Sequence, residues 1–479
     1  MGEKPSLAWS LLLRPLALLW IPVIVLAVLA ACQDWRAARR YQESASPSSA
    51  TITPVPSHGK GEMAVNRIAY VGSDGNIFTI KPDGTDSRRL TRTDFRVGPA
   101  GHILAQGPVP IGAEGSETLV FYAWPTWSPD STRLAASRVT VEGASATFSL
   151  HVLDASTGKA TRIYDNEPNT IPIAQGAPHF MYWSPDSKHL TFLASTPREL
   201  ALLISTPEQG SGPTRLVGEA PLYFSWAGDS SALAVHRGPE LLLVPFTGGV
   251  PQPPQSLGDV GMGFRAPALS RDASKMVYAT EDGGGASLYL ADVRLTESGR
   301  AQPGRAILDV GPSSVFMWSP TRDEVAVADT VDAVGPIYQQ VTIVGDDGAS
   351  KRVVVNEPLL AFFWSPDGEK IAYVAFDTER RSFTWKYVNR AEGRLVELAE
   401  FVPSAEFLTM ISFFDQYAYP NSVWSPDSSQ IVFSGTIGRN AFRRNGGSPE
   451  GDKVYVLDVR EGSAPREIAT SRFAVWSWK

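Results

Sequence analysis

The sequence predicts an all-β fold built from repeated four-stranded antiparallel sheets. The first observation is the phrase Trp-Ser-Pro-Asp, which recurs four times, at 127–130, 183–186, 364–367 and 424–427. The second is a run of alternating apolar and polar residues after each copy, such as KIAYVAF at 370–376, and further runs follow it. Period-2 alternation is the sequence signal of a strand. The third is the content of 41 glycines and 37 prolines in 479 residues, which suits short strands joined by turns better than long helices.

Residues 1–31 predict a signal peptide that ends at a lipidation site. Lys4 and Arg14 precede an uncharged apolar run at 15–31, and the only cysteine, Cys32, directly follows Leu-Ala-Ala. A basic segment, an apolar segment and small residues in this order are typical of secretory signals. The Leu-Ala-Ala-Cys ending resembles the lipobox of bacterial lipoproteins, which implies a lipid on Cys32 and cleavage before it. An uncleaved N-terminal transmembrane anchor is the alternative, because the run is at the short end of a spanning helix.

Both interpretations tether the protein to a membrane on its extracytoplasmic side. Residues 32–66 carry Cys32 and are rich in Ser, Pro and Thr without apolar periodicity. Such a segment buries too little apolar surface to offset its ordering entropy, so it predicts a disordered stalk. We expect the folded domain to comprise residues 67–479.

The repeat predicts the architecture of that domain. Degraded copies of the phrase stand at 226–229, 269–272 and 318–320, and a half copy stands at 476–477. Four strands in about 50 residues are the unit of a β-propeller blade. Residues 67–91 contain three strand runs without the Trp-Ser run before them, and residues 473–479 contain that run alone. The sequence therefore predicts an eight-bladed β-propeller whose first blade is completed by the C-terminal strand.

The Trp-Ser-Pro-Asp phrase is interpreted as structural. Proline presets φ in a turn and aspartate can accept a hydrogen bond from the backbone that follows it, so the phrase closes a hairpin. We expect the tryptophan to pack between neighbouring blades.

The repeat also resembles a known family. The Trp-Ser-Pro-Asp-(Gly/Ser) hairpins and the Asp-Gly…Leu-Thr pattern of residues 83–91 resemble the TolB-type subgroup of WD-like propeller repeats. The resemblance covers residues 67–479 and implies a propeller fold. The expected function is that of a protein- or ligand-binding scaffold in the bacterial cell envelope, as a monomeric propeller whose partners are envelope proteins or peptides.

No chemistry-bearing motif stands out in the chain. The sequence has no Gly-x-Ser-x-Gly elbow and no histidine pair at metal-binding spacing, and its single cysteine excludes a cysteine-based zinc site. We therefore expect no catalytic residues, no metal and no cofactor. The formal charge of −7 argues against nucleic acid as a partner. The alternative is a propeller enzyme that acts on carbohydrate or peptide in the central channel through carboxylates from several blades.

The candidate partner-binding residues lie in two loops on the face opposite the Ser-Pro-Asp turns. Long connections of variable length concentrate on that face, which is typical of a binding face. Residues 401–421 are unusually apolar, and either a short helix or lid over the channel mouth, or an aromatic binding patch with Phe413, Phe414 and Tyr417, would account for them. Residues 436–452 contain Arg439, Arg443 and Arg444, which either contact an acidic partner group or form a solvated loop.

Overall fold

The computed structural model describes most of the predicted folded domain. The described residues are 65–93, 118–142, 145–165, 180–195, 199–209, 212–219, 221–261, 266–282, 285–293, 304–311, 314–330, 337–377, 382–438 and 451–479. The predicted signal peptide, most of the stalk, the lipidation site Cys32 and the basic residues Arg439, Arg443 and Arg444 lie outside this part of the chain.

The described residues are almost entirely strands. In chain order the strands are β1 (Ile68–Val71), β2 (Ile77–Ile80), β3 (Arg88–Arg89), β4 (Thr118–Trp127), β5 (Arg133–Glu142), β6 (Ser145–Asp154), β7 (Ala160–Asp165), β8 (Met181–Trp183), β9 (Leu190–Ser195), β10 (Leu200–Ser205), β11 (Thr214–Gly218), β12 (Leu222–Trp226), β13 (Ala232–Arg237), β14 (Glu240–Thr247), β15 (Val250–Pro251), β16 (Gln255–Asp259), β17 (Ala268–Leu269), β18 (Lys275–Asp282), β19 (Gly285–Asp292), β20 (Arg305–Val310), β21 (Val315–Trp318), β22 (Glu324–Asp329), β23 (Gln340–Gly345), β24 (Lys351–Val355), β25 (Leu359–Trp364), β26 (Lys370–Asp377), β27 (Ser382–Asn389), β28 (Leu395–Pro403), β29 (Gln430–Ile437), β30 (Lys453–Asp458), β31 (Arg466–Thr470) and β32 (Ala474–Trp476). Two short helices, α1 (Ala405–Ser412) and α2 (Phe414–Tyr417), follow β28, and a 3₁₀ turn spans Pro207–Gln209.

The strands pair as successive antiparallel meanders. Four-stranded sheets comprise β4–β7, β8–β11, β17–β20 and β21–β24, and β12–β16 form a five-stranded sheet in which both β15 and β16 pair with β14. Strands β25–β31 form one continuous sheet of seven. The fold is therefore all-β, as predicted.

The C-terminal strand completes the first sheet. Strand β32 pairs antiparallel with β1, with Ile68 opposite Trp476 and Tyr70 opposite Ala474, in the order β3-β2-β1-β32. This pairing of the chain's two ends confirms the predicted closing strand. It also covers the edge of β1 that would otherwise expose unpaired backbone groups.

Several tryptophans of the repeat bond to the strand that holds the preceding copy of the phrase, whereas the indole N–H of Trp127 has no hydrogen-bond partner among the described residues. In these bonds the indole N–H donates to the backbone carbonyl of the residue that stands immediately before the preceding copy of the phrase. The pairs are Trp183 to Thr126 (3.2 Å), Trp318 to Ala268 (2.9 Å), Trp364 to Met317 (3.3 Å) and Trp424 to Phe363 (3.2 Å). The ring closes through β32 by backbone groups. The backbone N–H of Trp476 donates to the Ser422 carbonyl at 2.9 Å, and the backbone N–H of Trp478 donates to Ser131 Oγ at 3.0 Å. Sheets that contact one another in succession, with the last contacting the first, are the arrangement of a β-propeller.

The Ser-Pro-Asp turns add a second set of bonds between sheets. Asp130 Oδ1 accepts from the Thr132 N–H at 3.0 Å, which closes the turn as predicted. The next residue, Ser131, has φ of 59°, and Ser187 has φ of 64°. This left-handed conformation favours glycine, but here Ser187 Oγ accepts the Asp130 N–H of the preceding sheet at 2.9 Å. The serine hydroxyl therefore gives a bond that offsets part of the backbone strain.

Candidate binding face

The ring has two distinct faces. The Ser-Pro-Asp turns lie on one, which we call the turn face. The connection that leads from β28 to Trp424 and the turn after Ile437 lie on the other, which we call the loop face.

Among the described residues, no helix has the length and apolar character needed to cross a bilayer.

Residues 405–421, which include α1 and α2, lie on the axis of the ring and are called the plug. Their aromatic rings contact the first strands of several sheets: Tyr417 stacks on Trp124 of β4 at 5.1 Å between centroids, Tyr419 stacks on Tyr182 of β8 at 6.2 Å, and Phe414 meets Phe362 of β25 at 5.1 Å. Helix α2 also packs against β12 and β21. A segment this short can reach the innermost strands of five sheets only from the axis.

The sequence of α1 explains why this connection is helical. Ser404 is the N-cap, and its Oγ accepts the Phe407 N–H at 3.2 Å. Phe407, Met410 and Ile411 are buried at i, i+3 and i+4 spacing, which turns one face of the helix toward the core. The helix ends at Phe413, whose N–H donates to the Thr409 carbonyl.

The three aromatic candidates of this segment have different environments. Phe414 has no exposed surface, Tyr417 is 4% exposed and Phe413 is 47% exposed. The expected aromatic patch of three rings is therefore corrected: Phe414 and Tyr417 belong to the core, and Phe413 alone presents its ring to solvent. Of the two interpretations of residues 401–421, the structure supports the helix over the channel mouth.

Two residues that follow Phe413 in the chain, Asp415 and Gln416, are polar and interact with Tyr223. The side chain of Gln416 hydrogen-bonds to the phenol of Tyr223. Burial, and secondarily the negative charge of Asp415, raise the pKa of Tyr223, so this phenol stays protonated and can donate. An exposed apolar ring in a segment that also carries polar residues is suited to binding a partner surface.

A half-buried charge cluster lies at the start of helix α1, and sequence reasoning missed it. Arg472 lies between two carboxylates, with Nη1 at 3.8 Å from Glu406 Oε1 and Nε at 3.6 Å from Asp452 Oδ2. Burial raises the pKa of Glu406 to about 7, against the opposing effect of Arg472, and burial also raises the pKa of Asp452. The Ser404 hydroxyl donates to the Arg472 carbonyl. These residues are far apart in sequence, and the pairing of strands β28 to β31 brings them together.

The described part of the chain contains no group of three or more His, Cys, Asp or Glu side chains placed to hold a metal ion.

Comparisons with known proteins concern the fold. Neither a protein-family model nor a curated protein sequence matches the chain. Solved structures similar to it include a eukaryotic initiation factor, with 13% identity, a TM-score of 0.46 and coverage of 86% of this chain and 97% of that one. An oligogalacturonate lyase from Vibrio parahaemolyticus has 13% identity, a TM-score of 0.42 and coverage of 86% and 87%. TolB from Acinetobacter baumannii has 12% identity, a TM-score of 0.36 and coverage of 72% and 83%. At these values the likeness carries over neither activity nor partners.

Proposed function

We propose that this protein is a membrane-tethered, extracytoplasmic propeller that binds a protein or peptide of the bacterial envelope through its loop face. In this proposal Cys32 carries the lipid and residues 32–66 form the stalk. The folded domain joins that stalk on the turn face, because Trp476 Nε1 donates to Asn66 Oδ1 at 2.8 Å beside the closing strand. The loop face is then the side of the ring opposite the point of attachment.

The same proposal takes the ring as eight-bladed. The seven-stranded sheet divides into two blades, because β28 and β29 pair only through residues 401–403 and 435–437. Trp424 bridges to Ile431 of β29 and so occupies the innermost position of the second blade. With β32 assigned to the first blade, every blade then has an inner strand next to the axis.

The exposed ring of Phe413 on a rigid plug is the observation that carries the binding role. Its neighbours Phe407, Met410 and Phe414 are fully buried, so the helices that present it are held by the core. Binding energy at protein interfaces is concentrated in a few aromatic and arginine anchors set among polar groups. The apolar filling of the axis supports a binding role over the alternative of an enzyme that works within the channel.

A site-specific photocrosslinker tests this function. A benzophenone amino acid at Phe413 should crosslink a discrete envelope partner in intact cells. Leu395, which is 44% exposed on β28, is the matched control position and should give no such product. A Phe413→Ala substitution should reduce recovery of that partner without changing the melting temperature. Identical crosslinks from both positions, or none from Phe413, would refute a binding role for this face.

A further inference from the structure

A cluster of polar side chains outside the plug lies on one face of the β4–β7 sheet. Cross-strand pairing sets Tyr122 opposite Arg138, Arg138 opposite Ser149, and Ser149 opposite Asp165. Directly paired residues of antiparallel strands project from the same face of a sheet. His151 follows Ser149 by two residues and therefore shares that face. Three strands thus assemble a phenol, a guanidinium, a hydroxyl and an imidazole, and β7 adds the carboxylate of Asp165.

The Arg138 guanidinium is the centre of this cluster, and its partners are neutral. Its Nη1 donates to Thr140 Oγ1 at 3.1 Å, and it hydrogen-bonds to the Tyr122 phenol. No carboxylate among the described residues forms an ion pair with it. Half-buried arginines normally meet a carboxylate or phosphate, because the planar fork matches two acceptor oxygens.

His151 is neutral at this site and has an unsatisfied nitrogen. Its Nε2 lies 3.0 Å from Ser149 Oγ, while Nδ1 is buried and has no hydrogen-bond partner. Burial, and then the cations Arg138 and Arg162, lower the pKa of His151 to about 4, against the opposing charge of Asp165. A buried polar atom without a partner in a native fold calls for an explanation, of which a bound ligand or water is one.

The charges of the cluster select the ligand. Arg162 Nε lies 3.2 Å from Asp165 Oδ2, so these two opposite charges are paired at the exposed rim. Arg138 then provides the net positive charge of a site with neutral imidazole, phenol and hydroxyl groups around it. We propose that this face of the β4–β7 sheet binds the carboxylate group of a small acidic ligand, with Arg138 as the bidentate donor. A singly charged carboxylate matches the site, whereas a phosphate dianion would leave an uncompensated negative charge.

The cluster runs from the inner strand β4 to the exposed strand β7. The backbone of β4 contacts the first sheet, since the Tyr122 N–H donates to the Gly75 carbonyl at 2.7 Å. Tyr122 and Ser149 are each 7% exposed, whereas the side chains of Arg162 and Asp165 are 64% and 54% exposed. The inner part of the cluster is therefore nearly buried, whereas its rim at β7 is exposed to solvent.

NMR titration of His151 in the whole protein tests the proposal. Trifluoroacetate is the probe, because it remains ionised at the low pH where this imidazole titrates. A carboxylate bound at Arg138 should raise the pKa of His151 by about 1, since a nearby anion favours the imidazolium. Sodium chloride of equal ionic strength should leave it unchanged, and sulfate, which is a dianion at this pH, should raise it less than trifluoroacetate. The His151→Gln variant assigns the resonance.

Variants at Arg138 complete the test. Arg138→Gln should raise the pKa of His151 on its own, because a neighbouring cation is removed, and should abolish the response to trifluoroacetate. Arg138→Lys keeps the charge and loses the fork, so its response should fall severalfold without a change in melting temperature. Arg394→Gln, on an exposed ion pair with Glu461, is the control and should respond as the wild type does. An unchanged response in Arg138→Gln, an equal effect of chloride, or a larger effect of sulfate would overturn the proposal.

Discussion

Replacing Trp476 with alanine should weaken the ring where its two ends meet. Trp476 is completely buried in β32, opposite Ile68, and its indole donates to Asn66 Oδ1 at 2.8 Å. Truncation of a buried aromatic residue to alanine costs about 3–5 kcal/mol. Loss of the hydrogen bond adds about 1 kcal/mol. The sum of about 4–6 kcal/mol approaches the whole free energy of unfolding of an ordinary domain, about 5–15 kcal/mol.

The assay combines urea unfolding with hydrogen exchange. Trp476→Ala should lower the urea midpoint and speed amide exchange in residues 68–71, because β1 loses the strand that covers its edge. Trp183→Ala removes an equally buried indole from within a continuous sheet. It should lower the midpoint by a similar amount and leave exchange in 68–71 unchanged. Trp478 is only partly buried and binds Ser131 through its backbone, so Trp478→Ala should have a smaller effect on both.

Two outcomes would contradict a closing role for Trp476. If Trp476→Ala and Trp478→Ala had the same midpoint, Trp476 would not hold the closing strand. If Trp183→Ala sped amide exchange in residues 68–71 as much as Trp476→Ala does, the contact between β1 and β32 would not be a separate weak point, and the ring would unfold as one cooperative unit.

Three further predictions concern separate parts of the chain. Because lipidation needs the thiol, Cys32→Ser should abolish metabolic labelling with fatty acid and leave the signal uncleaved; unchanged labelling would disprove the lipoprotein assignment. Phe414→Ala should cost about 3–5 kcal/mol of unfolding free energy because it empties the axis, whereas exposed Phe413→Ala should change it by no more than about 0.5 kcal/mol; equal urea midpoints would contradict the plug. The folded state binds a proton at Glu406 up to pH about 7, while the unfolded state releases it near the ordinary pKa of 4.5, so stability should fall as pH rises through this interval. Glu406→Gln should remove this loss of stability. The loss is about 3 kcal/mol at most, and it is smaller in practice because the Glu406 side chain is still 22% exposed. An unchanged pH dependence of the urea midpoint in Glu406→Gln would refute the raised pKa of Glu406.

The repeat carries enough information to predict the fold, because its signals are local. Alternation marks each strand, and the Ser-Pro-Asp turn is set by the proline and by the Asp130 carboxylate within a few residues. The pairing of 474–476 with β1 could be predicted as well, since residues 67–91 lack the Trp-Ser strand of a blade and residues 473–479 contain that strand alone. The division of the seven-stranded sheet could not, because the short contact between β28 and β29 depends on how far β28 extends past its neighbours.

The sites could be predicted only in part, for a physical reason. Apolar residues in 401–421 indicate burial or binding, but composition alone does not tell which ring faces inward, and Phe413 and Phe414 differ only by one position along the helical segment. The cluster around Arg138 has no sequence signature at all. Its members come from β4, β5, β6 and β7, and their proximity depends on the register of three strand pairs.

The plug changes where function can lie in this propeller. An open channel offers side chains from every blade a common space, but here Phe414 and Tyr417 fill the axis and join the innermost strands through ring contacts. Burial on this scale makes the plug part of the core, so opening the channel would expose several aromatic rings at once, at about 1.5–3 kcal/mol for each. That free energy is large compared with the stability of a domain. Recognition is therefore expected away from the channel, at residues such as Phe413 on the outer surface of the plug and at the half-buried Arg138 of the β4–β7 sheet.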